Sequence, residues 1–218
     1  MKKPFFTSMN YFSTPVWKGH FPQYLKDCIS VTDPHIKKAK IRNASLLKKH
    51  HKKKVKDFGM SHHSGPIYNE PALQPFVKFI MQVSGDFLET CGFDLQRHKA
   101  WLSECWVQEF SKQGGGHHSA HVHSNNHVSG FYFLKCSDST SYPVFEDPRS
   151  GAMMNKLPLK KSEDITSGSD QINIQPQPGT LLVFPAYLLH HFPVDRGIDP
   201  FRFIHFNIQY LPGGAVIK

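Results

Sequence analysis

The sequence predicts a mainly β fold with helical support on one face, an α+β arrangement around a jelly-roll-like core. Three observations carry that expectation. From about residue 101 onward, short β-prone runs alternate with Gly, Pro, Ser and Asn: "CWVQEF", "HVSGFYFLK", "YPVFED", "QINIQP", "GTLLVFP" and "FRFIHFNIQYL". Several short strands separated by turn signals are the pattern of a sandwich or barrel. One stretch with helical apolar spacing precedes them, and 218 residues with 18 Phe are enough for one domain with a buried core.

In chain order, "YFSTPVWKGHF" reads as an opening β segment, with Pro15 favouring an edge position. A basic segment follows at about 37–56, then "HSGPIY". The helix is expected over about 71–91, where Phe76, Val77, Phe79, Ile80, Val83, Phe87 and Leu88 recur at helical spacing and Gly92 is a C-cap candidate. Residues 1–100 thus supply a strand, the basic segment and a supporting helix, and 101–212 the β core, all within a single domain 1–218. Residues 150–170 read as a surface loop of a length that is often functional.

The net charge of +9 is concentrated in "KKAKIRNASLLKKHHKKKVK", and without that segment the chain is close to neutral. Such a block attracts phosphates, so Lys37–Lys56 is a candidate contact for nucleic acid or another polyanion. As a local arm or helix it is expected to be a solvated insertion lying apart from the fold. No apolar run approaches a membrane span, and the N-terminus lacks a signal-peptide h-region and reads as uncleaved. Cys28, Cys91, Cys105 and Cys136 are scattered, which fits buried small apolar residues in a reducing, cytoplasmic compartment.

The functional signal is "GHHSAHVHSNNHVSGFYFL", in which five histidines fall within eleven residues. A metal site, a proton relay and a polar loop are all compatible with such a cluster. Strand side chains alternate faces, so His121 and His123 share one side if "HVH" is extended and make a chelating pair. A third ligand must come from elsewhere. "PGTLLVFPAYLLHHF" offers one: Gly179 opens a turn, Leu181 to Phe184 form an apolar strand, and His190 follows its end. His117, His118 and His127 read as loop residues or as supports for the ligands.

The combination "HxHxxxxxSGFYFL…FEDPR…GTLLVFPAYLLHHF…RFIHFN", with "YFSTPVW" and "WLSECWVQEF", resembles the iron/2-oxoglutarate-dependent oxygenases of bacteria and phages. The resemblance implies a double-stranded β-helix fold (the jelly-roll or cupin-like architecture), Fe(II), 2-oxoglutarate and O2. It implies an enzyme that hydroxylates an unidentified substrate and releases succinate and CO2. His121 takes the place of the first histidine of that family's H-x-D and His190 that of the distal histidine. Arg202 stands about where the basic partner of the 2-oxoglutarate carboxylate lies, a sensible role for a guanidinium. Tyr132, in the aromatic strand that lines the cosubstrate pocket, and Asn207, on the last strand, are further cosubstrate-side candidates, and Phe133 stands where related enzymes often have Tyr. Asn207 and His205 are also candidates for orienting the imidazoles.

One departure matters. The usual open iron site has two histidines and a carboxylate, and here His123 occupies the carboxylate's position. A three-histidine site, Asp147 of "FEDPR" as the third ligand, or a water in that place are the alternatives. Two competing classes remain. Cupins also show H-x-H and a late histidine, and three-histidine cupins include dioxygenases that do not use 2-oxoglutarate, besides isomerases. A catalytically inactive β-helix could instead act as a binding module through its lysine-rich segment.

Overall fold

The computed structural model describes residues 6–7, 9–50, 56–154 and 157–214. Ten strands are described: β1 (Trp17–His20), β2 (Ser61–His63), β3 (His98–Phe110), β4 (His118–His121), β5 (Val128–Lys135), β6 (Val144–Glu146), β7 (Gln171–Asn173), β8 (Thr180–Pro185), β9 (His190–Phe192) and β10 (Arg202–Pro212). With them run α1 (Leu25–His50), α2 (Gln74–Thr90) and the short α3 (Ser150–Met154). A six-stranded sheet has the order β1-β8-β5-β10-β3-β2 and a four-stranded sheet the order β4-β9-β6-β7. Strand pairings are antiparallel in both. Two facing antiparallel sheets with helices against one of them are the mainly β jelly-roll arrangement expected from the strand-and-turn texture. β1 is an edge strand, as Pro15 suggested.

The two faces of the large sheet hold two apolar layers. The outer layer packs Cys105, Val107, Tyr132, Val183, Ile204 and Phe206 against Cys28 and Ile36 of α1 and Phe76, Ile80 and Phe87 of α2. The inner layer packs Phe110, Phe131, Phe133, Phe184 and Phe203 against Phe145 and Phe192 of the small sheet. Covered on both faces, β5 and β8 read as almost continuous apolar runs rather than alternating ones. Gly130 lies where an added Cβ would sit 2.1 Å from the Phe206 ring, so only glycine lets that ring lie flat on β5. Gly179 turns the chain into β8 at φ +90, a conformation open to glycine without strain.

α1 corrects the expectation that the basic segment lies apart from the fold. Cys28, Thr32, Ile36, Ala39 and Asn43 are buried at spacings of three and four, which gives a Lys-rich sequence one face that packs on the sheet. Lys40 reaches in to pair with the buried Glu109, and Arg42 donates to the His63 carbonyl at 2.7 Å. Lys52, Lys53 and Lys54 of the same segment lie outside the described residues. The second helix begins at Gln74, after a single 3-10 turn at 71–73, within the expected span. Cys28 and Cys105 are buried, Cys136 is half-buried and Cys91 is exposed, each as a free thiol. No helix among the described residues is long and apolar enough to cross a membrane.

Candidate metal centre

The small sheet sets two of the histidines side by side. His121 ends β4 and His190 opens β9, and the two are register partners with ring centroids 4.5 Å apart. The chain leaves β4 at His121, and the backbone N–H of His123 donates to the Ala186 carbonyl at 2.9 Å. That bond brings the His123 ring to 5.0 Å from His121 and 5.1 Å from His190. Nitrogens of the three rings lie within 4.8 Å of one another, close enough to share one ion.

Ring orientation decides whether that proximity is useful. His121 Nδ1 lies 2.7 Å from the Ser119 carbonyl and His190 Nδ1 2.8 Å from the Leu188 carbonyl. A carbonyl only accepts, so both Nδ1 atoms carry the proton and both Nε2 atoms keep a free lone pair, the usual preparation of a metal-binding imidazole. His190 is fully buried, and its Nε2, like that of His123, has no hydrogen-bond partner among the described residues. Buried polar atoms seldom go unpaired, because each orphan costs about 1–3 kcal/mol. A metal ion is the partner that answers the His190 lone pair, with the His123 ring beside it. Burial pushes His123 down to about 4 and His190 to about 3, the neighbouring imidazoles adding to the effect, so both rings are neutral near pH 7.

The large sheet contributes the surround. Asn207 of β10 accepts from the Ser129 hydroxyl at 2.5 Å, and its amide nitrogen donates to Glu104 at 2.7 Å. That same nitrogen lies 3.2 Å from His123 Nδ1. Gln108 meets His118 at 2.5 Å, and His118 packs on the His121 ring at 5.8 Å. Glu104, Trp106, Gln108, His205 and Asn207 all face the histidines, because β3 and β10 pair in register with the same parity. Glu104 and Gln108 were missed in the sequence reading. The alternation of "ECWVQEF" around the apolar Cys105 and Val107 is the signal that could have found them. His127 turns out to be structural, its Nδ1 accepting from the Tyr210 backbone N–H at 3.0 Å.

Three expected site residues lie elsewhere. Arg202 is on the other face of β10, under α1, where Nε donates to Glu109 at 2.6 Å and a terminal nitrogen to Asp33 at 2.5 Å. It stands three positions before His205, and strand alternation sends the two to opposite faces. Tyr132 likewise faces the helices and donates its hydroxyl to the Phe21 carbonyl at 2.7 Å. Asp147 is clamped by Arg149, at 2.8 Å from a terminal nitrogen, and is absent from the groups of converging ligand atoms among the described residues. Asn207 does face the histidines. The positions beside the histidines on that face, Glu104, Trp106, Gln108, Phe131, Phe203 and Asn207, include no Lys or Arg, and Lys135 of β5 pairs with Asp33 of α1 at 3.7 Å.

Residues 104–207, just under half of the chain, match a family model described as "Putative 2OG-Fe(II) oxygenase". No curated protein sequence matches the chain. Among solved structures, AviO1 from Streptomyces viridochromogenes Tue57 superposes with a TM-score of 0.55 at 8% identity, covering 94% of this chain and 92% of that one. A Pseudomonas putida prolyl-4-hydroxylase gives 0.53 at 11% identity, covering 89% and 93%. The epimerase SnoN, solved with Fe3+, alpha ketoglutarate and nogalamycin RO, gives 0.51 at 11% identity, covering 91% and 82%. At these identities the likeness establishes the fold, the double-stranded β-helix.

Proposed function

We propose that this chain, whose residues 104–207 match the 2OG-Fe(II) oxygenase model, belongs to that family, holds Fe(II) with His121, His123 and His190 and hydroxylates a substrate in a 2-oxoglutarate-dependent reaction. The observation that carries the ligand set is the pair of carbonyl-oriented imidazoles, His121 and His190, beside a third, half-buried imidazole whose Nε2 has no partner among the described residues. Bound there, Fe(II) and 2-oxoglutarate would couple the oxidative decarboxylation of the keto acid by O2, to succinate and CO2, to oxygen insertion into the substrate.

The side chains have separate tasks. The Ser119 and Leu188 carbonyls hold His121 and His190 in the tautomer that presents Nε2. Asn207, itself fixed between Ser129 and Glu104, positions His123. Phe131, Phe184 and Phe203 wall the inner side and keep water from it. Three neutral ligands leave the ion its full double charge, one unit more than two histidines and a carboxylate would. That charge favours an anionic keto acid.

The far carboxylate of the keto acid is a different matter. Arg202 is committed to Glu109 and Asp33 on the opposite face, so the guanidinium anchor expected from the resemblance is not assigned here. Beside the histidines the inner face offers the Glu104 carboxylate, bound to Asn207, and the neutral Gln108, whose Oε1 is buried without a partner among the described residues. Affinity for 2-oxoglutarate then rests mainly on the metal. The test is 2-oxoglutarate binding measured with and without Fe(II) under anaerobic conditions. Binding should vanish in the metal-free protein and in His121→Ala and His190→Ala, and metal-independent binding would sink the reading.

A further inference from the structure

Beside the three-histidine centre lies a second group of ligand atoms that the proposed reaction does not use. Glu104, His123 and His205 offer a carboxylate oxygen and two ring nitrogens within 4.8 Å of one another. His205 is fully buried, and neither of its ring nitrogens has a hydrogen-bond partner among the described residues. Its Nε2 stands 3.8 Å from Glu104 Oε2, too long for a hydrogen bond and short enough for an ion to lie between. A doubly orphaned imidazole in a core otherwise made of Phe and Trp is costly, and a phenylalanine would pack there without that cost.

The geometry points to a second divalent-cation site formed by Glu104, His123 and His205, sharing His123 with the first. The two nitrogens of His123 look in different directions. Nε2 is buried without a partner, whereas Nδ1 and Glu104 Oε2 converge on the Asn207 amide nitrogen, at 3.2 and 2.7 Å. The Asn207 amide, whose two hydrogens serve these two acceptors, is the group that a cation bound between them and His205 displaces. His205 stacks on His123 at 4.4 Å, with the planes 29° apart, which brings its edge to the same place. Two imidazoles and a carboxylate suit a divalent first-row transition ion. With both ions bound, His123 ligates through both nitrogens and its ring proton is released to solvent. Glu104 then brings to the pair of ions the negative charge that the H-x-H motif lacks.

The inference is independent of the oxygenase reaction, although it shares one ligand with it. The experiment is a Co(II) titration of the metal-free full-length protein, followed by visible absorption and by metal content per chain at saturation. The wild type is expected to take two equivalents, while His205→Phe, which keeps a ring against Trp106 and Phe131, takes one. Glu104→Gln is expected to lose the same equivalent, and His121→Ala to lose the other while keeping this one. A single equivalent in the wild type overturns the proposal, and so do two equivalents in His205→Phe. Thermal unfolding of each apoprotein separates loss of the site from loss of the fold. Failure of the three-histidine reading would show instead as His121→Ala leaving both equivalents in place.

Discussion

Replacing Arg202 by Ala separates two roles for this residue, cosubstrate anchor and structural pin. Its side chain is 5% exposed and its main partner, Glu109, 3% exposed, so the pair is shielded from solvent. Burial pushes the Glu109 carboxyl up, but the hydrogen bond from Lys40 and the charges of Arg202 and Lys40 outweigh it and hold the carboxyl below its usual range. Removing Arg202 leaves a buried carboxylate with Lys40 alone. Breaking a buried pair costs about 3–5 kcal/mol, and the remaining lysine places this case near about 3 kcal/mol. The Asp33 contact adds little, since its carboxylate is half exposed. For a chain of this size a loss of about 3 kcal/mol lowers Tm by about 6–12 °C. The assay is urea and thermal unfolding, with Fe(II) and 2-oxoglutarate binding measured well below the lowered Tm. Binding of both should match the wild type, and the double variant Arg202→Met with Glu109→Met should recover most of the lost stability. An unchanged Tm with selective loss of 2-oxoglutarate binding would refute this reasoning and restore Arg202 as the anchor.

Other consequences are as direct. Tyr132→Phe should cost about 1 kcal/mol of stability, because one buried hydrogen bond to Phe21 is lost; a change in 2-oxoglutarate affinity without that cost would place the hydroxyl at the site after all. The metal-free protein should lose stability as pH falls below about 6.5. The folded state keeps His118, His123 and His190 neutral down to about 4, 4 and 3, while the unfolded chain takes up protons at the ordinary histidine value. For the fully buried His190 alone the loss is about 2 kcal/mol by pH 5, and urea midpoints that stay flat from pH 7 to 5 would contradict it. Gly130→Ala should destabilise the sheet by about 1–3 kcal/mol through overpacking against Phe206, with wild-type metal content at low temperature.

Much of this was legible in the sequence wherever one periodicity governed. The runs over 105–110, 127–135, 142–147, 171–176, 179–185 and 201–211 coincide with strands because each pairs apolar alternation with a turn signal. The H-x-H spacing and the late histidine, followed along the strands, led to three rings that meet. Where tertiary context decided, the reading failed. α1 was hidden because its apolar side is made of Cys28, Thr32, Ile36 and Ala39, small residues among lysines, and the helix gains its stability from the sheet beneath it. β9 is only three residues long and owes its place to pairing with β4 and β6. Arg202 was placed by its distance from His190, a count that ignores which face of the strand the side chain occupies. Tyr132 failed for the same reason, since Phe131 and Phe133 are the residues of that strand that face inward.

The three-histidine centre, with no carboxylate at the usual position, is expected to support 2-oxoglutarate turnover. Its most direct measurement is succinate formed from 2-oxoglutarate under O2 by the Fe(II)-loaded protein, beside His190→Ala loaded in the same way. Iron-dependent succinate is expected from the wild type and none above background from the variant. Equal succinate from the two, or none from an iron-loaded wild type, would contradict it.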